Sequence, residues 1–264
     1  MRILLLGDIV GVRGRRLVTS QLPALKREMQ ADICIANAEN VCEGSGIDAT
    51  SAKKLLQAGV DYITLGNHIW SKHSWLKDCE DFPMIARPLN APAEWPGFDH
   101  VVAEMGDTRL LLISLLGQTY MQVAHNPFVV MEQTLEALKQ RYKSKIVIVD
   151  FHAEATAEKI AMGHFLQDRV SVVFGTHTHV QTADECVLGS GTAYITDLGM
   201  TGPANGVIGM AKTVALRRFL EQLPARYEVE AEGPLTLQGA IVDINSKSGQ
   251  AQAIERIRLN YQDN

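Results

Sequence analysis

The amino-acid sequence predicts an α/β fold, arranged as a layered sandwich of two mixed β-sheets flanked by helices. Short apolar segments alternate with helix-like segments from residue 2 to about residue 176, which is the pattern of a layered α/β sheet. Two strand-like segments at 101–105 and 109–114 flank the turn sequence Gly-Asp-Thr at 106–108, so they predict a hairpin and a mixed sheet. Further strand-like segments near the C-terminus would complete a second sheet.

The elements follow in order along the chain. Short apolar runs predict buried strands, which lie at residues 4–6, 33–35, 62–65, 146–149 and 170–174. The predicted helices lie at residues 14–29, 49–58, 128–141 and 155–166. The predicted C-terminal strands lie at residues 227–231, 238–245 and 251–259.

The composition limits the function without deciding it. The 264 residues are 46% hydrophobic and 21% charged, so they can bury a substantial core as one domain over residues 1–264. A formal net charge of -5 argues against a broad electrostatic grip on long nucleic acid, whereas a small nucleotide or an RNA end remains compatible. There is no signal peptide, and no stretch approaches the roughly 20 apolar residues of a membrane span. We therefore expect a cytoplasmic protein with no membrane partner.

Side chains of the metal-ligating type follow five of the predicted strands directly. The segment G-T-H-T-H at 175–179 places the imidazoles of His177 and His179 two positions apart after one strand. The other four strands are followed by similar side chains. These are Asp8 after the first strand, Asn37, Glu39 and Asn40 after the second, Asn67 and His68 after the third, and Asp150 and His152 after the fourth. Because ligands bind beyond the carboxyl ends of parallel strands, these five ends predict one shared site.

Each motif taken alone has a simpler explanation. Asp8 could belong to a turn or cap a helix, and Glu39 and Asn40 could be solvated loop residues. His68 or His152 could be a core histidine with a satisfied ring, and a His-x-His pair in an exposed loop is unremarkable. Since all these explanations would have to hold at the same position relative to several strands, one shared site is the better account.

The donor atoms restrict the chemistry of such a site. Carboxylates, side-chain amides and imidazoles form a nitrogen and oxygen environment without thiolates, which suits manganese, iron or zinc. One carboxylate can bridge two ions, and a pair of ions about 3.5–4 Å apart clamps a phosphoryl group and turns a bridging water into a hydroxide nucleophile. A remaining imidazole could protonate the leaving oxygen. The donor set therefore predicts the hydrolysis of phosphoesters.

The order of these motifs resembles that of the calcineurin-like metallophosphoesterases. More closely, it resembles the bacterial branch typified by YmdB, whose members hydrolyse 2′,3′-cyclic nucleotides and related phosphodiesters. The segments DFHAEAT at 150–156 and TAYITDLGMTGP at 192–203 look like signatures of that branch. The resemblance covers essentially the whole chain, and it implies two facing sheets with helices outside.

The resemblance also implies a role for each site residue. The first metal would be held by Asp8, Glu39, Asn40 and His179. The second metal would be held by Glu39, Asn67, His152 and His177. Glu39 would bridge the two ions, and His68 would be the general acid. Members of the family are usually described with iron, although the type of donor alone does not choose iron over manganese.

Two departures from the wider superfamily bear on the first metal. Most superfamily members have a histidine two positions after the first aspartate, where this chain has Val10. The bacterial branch shares this departure, and in it the amide at the position of Asn40 completes the first shell. Glu39 stands where most members have an aspartate, so its longer side chain could alter the spacing of the metals.

Three classes of function remain open from the sequence. The first is a dinuclear phosphodiesterase acting on small cyclic nucleotides through a metal-bridging hydroxide, and the second is a phosphomonoesterase or RNA-end nuclease with the same metals. The third is a regulatory protein that binds metal and nucleotide with little turnover. We expect a homo-oligomer whose size the sequence does not give, and Trp70 and Tyr120 are the aromatic candidates for contacting a base.

Overall fold

The computed structural model describes residues 1–106, 108–121 and 124–262. Its strands, in chain order, are β1 (Arg2–Leu6), β2 (Asp8–Ile9), β3 (Ile33–Asn37), β4 (Tyr62–Thr64), β5 (Ile85–Ala86), β6 (Val101–Met105), β7 (Thr108–Leu116), β8 (Ile146–His152), β9 (Val172–Thr176), β10 (Cys186–Leu188), β11 (Thr192–Ile195), β12 (Met200–Pro203), β13 (Leu235–Ile244) and β14 (Ala251–Tyr261). Its α-helices are α1 (Gly11–Glu28), α2 (Ala49–Gln57), α3 (Trp75–Asp78), α4 (Pro127–Tyr142), α5 (Thr156–Leu166) and α6 (Lys212–Glu221).

The strands form two mixed sheets. Within the described ranges, the first sheet has the order β2-β12-β13-β1-β3-β4-β5, with β14 also paired to β13. Strands β1, β3, β4 and β5 are parallel, whereas β13 runs antiparallel to β1. The second sheet has the order β10-β11-β9-β8-β7-β6, in which β7, β8, β9 and β11 are parallel. The prediction of two mixed sheets flanked by helices is confirmed.

The main core lies between the two sheets. Because successive side chains of a strand point to opposite faces, Ile3 and Leu5 of β1 join this central core, while Leu4 and Leu6 pack toward the helices outside. Strand β8 alternates in the same way, with Ile148 in the central core and Val149 in the outer core. Each sheet is therefore covered on both faces, which explains why these strands are continuous apolar runs in the sequence.

Most predicted elements are confirmed, and one is wrong. The four predicted helices correspond to α1, α2, α4 and α5, and the predicted hairpin is formed by β6 and β7. Asp107 of its predicted turn lies outside the described residues. No strand forms over 227–231, where Val229 makes a single bridge to Met210. Within the described structure, the backbone of this segment pairs only with the short turn at 209–211, through the carbonyl of Glu228 and the N–H of Glu230, so a longer strand ladder does not form.

The predicted site lies where the two sheets meet, not at the edge of one sheet. Strands β1, β3 and β4 belong to the first sheet, while β8 and β9 belong to the second. The segment 196–199 passes close to the carboxyl ends of strands from both sheets. A Cβ atom on Gly7 would lie 2.1 Å from the Gly199 carbonyl oxygen, and one on Gly175 would lie 1.8 Å from that of Thr196. Glycine is therefore required at both strand ends. Among the described residues, no helix is long and apolar enough to cross a membrane.

Candidate metal centre

The predicted ligands form two clusters that share one carboxylate oxygen. Glu39 follows β3, and its Oε1 lies 3.3 Å from Nδ2 of Asn40 on one side and 3.0 Å from Nε2 of His152 on the other. Its second oxygen, Oε2, accepts a hydrogen bond of 3.0 Å from the backbone N–H of His68. Glu39 is completely buried, so the fold fixes this carboxylate between the two clusters.

The first cluster contains Asp8, Asn40 and His179 beside Glu39. Nδ2 of Asn40 lies 3.4 Å from Oδ1 of Asp8 and 3.1 Å from Nε2 of His179. Nε2 of His179 lies 3.7 Å from the same Asp8 oxygen. The structure turns the amide nitrogen of Asn40 toward this cluster, and a half-turn about its Cβ–Cγ bond would present the oxygen there instead.

The second cluster surrounds Nε2 of His152. Oε1 of Glu39, Oδ1 of Asn67 and Nδ1 of His177 each lie 3.0 Å from this nitrogen. The ligand atoms of Glu39, His152 and His177 lie within 4.8 Å of one another, a spacing at which they could hold one metal ion. All seven predicted metal ligands therefore fall in two adjoining clusters, as the order of the motifs suggests.

A buried hydrogen-bond chain behind His152 sets which of its ring nitrogens is free. The hydroxyl of Thr176 donates to Oδ1 of Asp150 at 2.6 Å and lies 2.8 Å from Nδ1 of His152. Because the hydroxyl proton is directed at the carboxylate, Nδ1 of His152 must carry the proton of the second bond. Nε2 of His152 is thus the ring nitrogen that faces the cluster. Burial opposes the charged form of this ring, but Glu39 raises the pKa of His152 to about 9, so Nε2 would give up its proton to present a lone pair to a bound cation.

The other two histidines are oriented in the same way. Nδ1 of His179 lies 2.9 Å from the carbonyl oxygen of Ile208, which can only accept, so Nε2 of His179 carries the lone pair. Nε2 of His177 lies 3.2 Å from Oε2 of Glu154, which leaves the lone pair of the neutral His177 ring on Nδ1, 3.0 Å from Nε2 of His152. Lone pairs from imidazoles and carboxylates thus converge in both clusters, and a cation would stabilise them.

Burial and mutual charge shift the pKa values of these groups. Burial raises the pKa of Asp8 to about 6 despite the neighbouring His179. Burial also opposes ionisation of Glu39, but the adjacent His152 outweighs it and lowers the pKa of Glu39 to about 2. Burial together with His152 lowers the pKa of His177 to about 3. The high pKa of Asp8 indicates a buried carboxylate that the protein's own cations do not fully stabilise.

The loop that carries His177 and His179 is held by a buried ion pair. Both histidines have positive φ angles, 95° and 61°, which are unfavourable for non-glycine residues. Thr178 between them donates its backbone N–H (3.2 Å) and its hydroxyl (2.7 Å) to Oδ2 of Asp197. The same oxygen accepts from Nζ of Lys159 at 2.6 Å, and both charged side chains are buried. These contacts keep the loop in its strained conformation.

The structure separates ligand candidates from residues that position them. Asn37 and Asp150 are not at either cluster, because Nδ2 of Asn37 donates to Oδ2 of Asp150 at 3.0 Å behind them. His68 lines the open side of the site and is not among the converging donors. Glu154, Asp197 and the carbonyl of Ile208 were not predicted as site residues. Glu154 and Asp197 lie in the two segments that resemble signatures of the family, but the roles of all three groups depend on contacts between distant segments.

A cavity of about 540 Å³ opens directly over the two clusters. The described residues that line this cavity include Glu39, Asn40, His68, Glu154, His177, His179, Ile208, Met210 and Tyr227. Gly66 closes the site behind Glu39, because a Cβ atom there would lie 2.3 Å from Oε2 of Glu39. Trp70 packs edge-to-face on Trp95 at 5.4 Å, and neither Trp70 nor Tyr120 is among the described residues that line the cavity.

The family of this chain follows from the sequence as a whole. Residues 4–257 match the model of the YmdB-like protein family. The chain belongs to the YmdB-like family. This family is of the metallophosphoesterase type, which implies bound divalent metal ions, and the match confirms the resemblance inferred from the motifs.

Three proteins similar to this YmdB-like chain align with it over nearly the whole length of both chains. The 2′,3′-cyclic-nucleotide 2′-phosphodiesterase of Bacillus subtilis is 41% identical over 98% of this chain and 97% of its own. A hypothetical protein from Thermus thermophilus is 36% identical, with a TM-score of 0.92 over 99% of this chain and 100% of its own. A phosphatase from Mycoplasma pneumoniae is 33% identical, with a TM-score of 0.93 over 100% of this chain and 94% of its own.

Replacing Lys159 by Met should destabilise the protein, because it leaves the buried Asp197 carboxylate without its cationic partner. We expect the free energy of unfolding, measured by urea denaturation, to fall by about 3–5 kcal/mol. Lys139→Met is the matched control, since Lys139 pairs with Glu136 on the surface of α4 and should change stability by less than about 1 kcal/mol. Equal effects of the two substitutions would contradict the role assigned to the buried pair.

Proposed function

We propose that this chain is a dinuclear-metal phosphodiesterase that hydrolyses small phosphodiesters, foremost 2′,3′-cyclic nucleotides. The observation that carries this proposal is the pair of donor clusters joined through Oε1 of Glu39, at the floor of an open cavity. The name of the Bacillus subtilis relative, 41% identical along nearly the whole chain, supports the choice of substrate. The single-domain organisation over residues 1–264 is part of the proposal, because the donors come from both sheets.

The donors present suit two divalent metal ions. In this proposal the first ion is held by Asp8, Glu39, Asn40 and His179. The second ion is held by Glu39, Asn67, His152 and His177. The converging lone pairs and the raised pKa of Asp8 both favour added positive charge here. We propose iron for this pair, with manganese as the alternative that the same donors accept. When bound, the pair would supply charge neutralisation for a phosphoryl group and a water of lowered pKa.

The chain's own residues complete the site. The hydrogen bonds from Asp150 through Thr176 to His152, and from His179 to Ile208, keep both imidazoles fixed, so the donors need no reorganisation. We assign His68 as the general acid, because it lines the cavity beside Glu39 while its side chain stays outside the donor clusters. Its proton would pass to the oxygen that leaves phosphorus when the diester is cleaved.

A phosphomonoesterase with the same metals is the second candidate. A specific observation favours it, since the Mycoplasma pneumoniae structure that superposes with a TM-score of 0.93 is described as a phosphatase. The cavity is open above the clusters and would admit a monoester, a cyclic diester or the end of an RNA strand. Substrate profiling is therefore the measurement that separates the candidates.

We also propose that the protein is a cytoplasmic homo-oligomer. The four cysteines are unpaired, as expected in a reducing compartment. Helix α6 and the residue after its cap expose an apolar stripe at helical spacing, with each side chain 55–81% exposed: Leu216, Phe219, Leu220 and Leu223. A contiguous apolar patch of this kind marks a protein interface, and pairing with the same stripe of a second copy is the commonest symmetric solution.

The function is tested by hydrolysis of 2′,3′-cyclic AMP with iron- or manganese-loaded protein. The assay is run beside 3′,5′-cyclic AMP and a phosphomonoester. We expect turnover of diesters, foremost the 2′,3′-cyclic one. Glu39→Gln is the blank, because a neutral amide bridges poorly, and mass spectrometry of bound metals should show that it loses both ions. Activity on the monoester alone would favour the phosphatase, and bound metal without any activity would favour a regulatory binding protein.

Replacing His68 by Ala should slow catalysis without releasing metal. We expect turnover to fall by roughly 10²–10⁴, which is the usual contribution of a positioned general acid, while the metal content per chain stays at the wild-type value. His73→Ala is the matched control, because His73 is exposed and does not line the cavity in the described structure. Loss of metal in His68→Ala would instead identify His68 as a ligand.

Replacing Leu220 by Glu should break the proposed interface between copies. Leu220 is the most exposed side chain of the stripe, so a charge there would be buried against apolar side chains of the partner. We expect light scattering to show a smaller assembly than the wild type, with an unchanged circular dichroism spectrum. Val129→Glu, at an exposed position of α4, is the control and should leave the mass unchanged. A wild-type monomer, or an unchanged mass for Leu220→Glu, would contradict the proposal.

A further inference from the structure

The cavity has a wall that the proposed chemistry does not use. Beside the donor clusters it is lined by Ile208, Met210 and Tyr227. These side chains offer no metal ligand of the carboxylate or imidazole type and no obvious acid or base for the reaction. Tyr227 as a residue is 45% exposed and lines the cavity, so part of its surface is accessible to a ligand there.

The ring of Tyr227 is held in place from behind. The guanidinium carbon of Arg218 lies 4.1 Å from the ring centroid, so a cation covers one face of the ring. Arg218 also donates a hydrogen bond of 3.2 Å to the carbonyl of Ala225, which fixes the guanidinium itself. A ring that is already immobilised loses little conformational entropy when a second planar group stacks on it.

The backbone connects Tyr227 to the donor clusters through one turn. Val207 and Met210 exchange backbone hydrogen bonds of 2.8 and 2.9 Å, and the carbonyl of Ile208 between them accepts from His179. On the other side of the turn, the backbone N–H of Ala211 donates to the carbonyl of Glu228 at 2.8 Å. The same short turn therefore sets both the orientation of His179 and the position of the segment that carries Tyr227.

The end of this segment is anchored as well. Arg13 of α1 donates to the carbonyls of Glu230 (3.2 Å), Glu232 (3.1 Å) and Gly233 (2.6 Å). The backbone N–H of Glu230 donates to the carbonyl of Gly209 at 3.0 Å. The segment after Tyr227 is thus fixed to α1 and to the turn, so the distance from the ring to the clusters is set by the fold.

We propose that Tyr227 is the platform on which the base of the nucleotide substrate stacks, with Arg218 as the residue that positions it. This inference rests on the proposed function and deepens it, because it identifies the substrates as nucleoside phosphates and not phosphodiesters in general. Every base has a π-face, so stacking alone accepts all four bases. Purines, which have the larger stacking surface, should bind more tightly than pyrimidines.

The test compares a substrate that has a base with one that has none. Values of kcat and KM are measured for 2′,3′-cyclic AMP and for glycerol 1,2-cyclic phosphate with the wild type, Tyr227→Ala and Tyr227→Phe. We expect Tyr227→Ala to lower kcat/KM for the cyclic nucleotide by roughly 5- to 150-fold, mainly through KM, as loss of one base stack does. The base-free diester should lose much less. Tyr227→Phe should behave like the wild type, because it keeps the ring.

Tyr120→Ala is the matched control, since Tyr120 is an exposed tyrosine outside the described cavity lining and should not affect either substrate. Equal losses on both diesters in Tyr227→Ala, or a Tyr227→Phe variant as impaired as Tyr227→Ala, would overturn the stacking role. So would a Tyr227→Ala protein that behaves like the wild type.

A binding measurement separates failure of this inference from failure of the proposed function. Calorimetry is used to compare the binding of 3′-AMP and of ribose 5-phosphate to the metal-loaded wild type and to Tyr227→Ala. If the wild type hydrolyses no diester, yet binds 3′-AMP more tightly than ribose 5-phosphate and loses that preference in Tyr227→Ala, the stacking role stands and only the catalytic proposal fails. The absence of any preference for 3′-AMP in the wild type would overturn the stacking role.

Discussion

The buried carboxylate of Glu39 is the constraint on which the rest of the site depends. Taking a carboxylate out of water is costly unless it is paired and hydrogen-bonded, and Glu39 has no exposed surface. It is stabilised by contacts from three directions: the N–H of His68, the amide of Asn40 and the imidazole of His152. Each contact comes from a different position in the fold, so the loops after β3 and β4 and the end of β8 must all be placed correctly before this charge is stabilised.

Buried polar groups behind the site fix the positions of these loops and strand ends. Asp150 accepts from Asn37, Thr64 and Thr176, three side chains on three different strands, so it ties β8 to both β9 and the neighbouring sheet. Burial raises the pKa of Asp150, and these donors favour its ionised form. The ion pair of Lys159 and Asp197 likewise fixes the loop that carries the two strained histidines. The rigid orientation of the donors is therefore maintained by groups that never touch the substrate.

Much of the site could be predicted from the sequence because its donor side chains directly follow apolar strands. Asp8, Glu39, Asn67, His152 and His177 were recognisable for this reason, and the structure brings them together. The assignment of each strand to one of the two sheets was not recognisable, because strand pairing depends on contacts between distant segments, such as β1 with β13 more than 230 residues away. The carbonyl of Ile208 and the ring of Tyr227 carry no local signal, since their roles arise only from the folded turn. The alternating apolar pattern at 227–231 wrongly predicted a strand because the partner of this segment is the short turn at 209–211, which allows a single bridge and no ladder.

Because the donors come from both sheets, the site can form only late in the synthesis of the chain. The donors extend from Asp8 to His179, and β1 lies between β3 and β13, the latter ending at Ile244. A growing chain that has not yet reached β13 lacks one of the two strands that pair with β1, the strand that precedes Asp8. In the proposed centre, complete metal loading would therefore follow the synthesis of β13, and an amino-terminal fragment that ends before β13 would carry the donor side chains without the complete sheet that positions them.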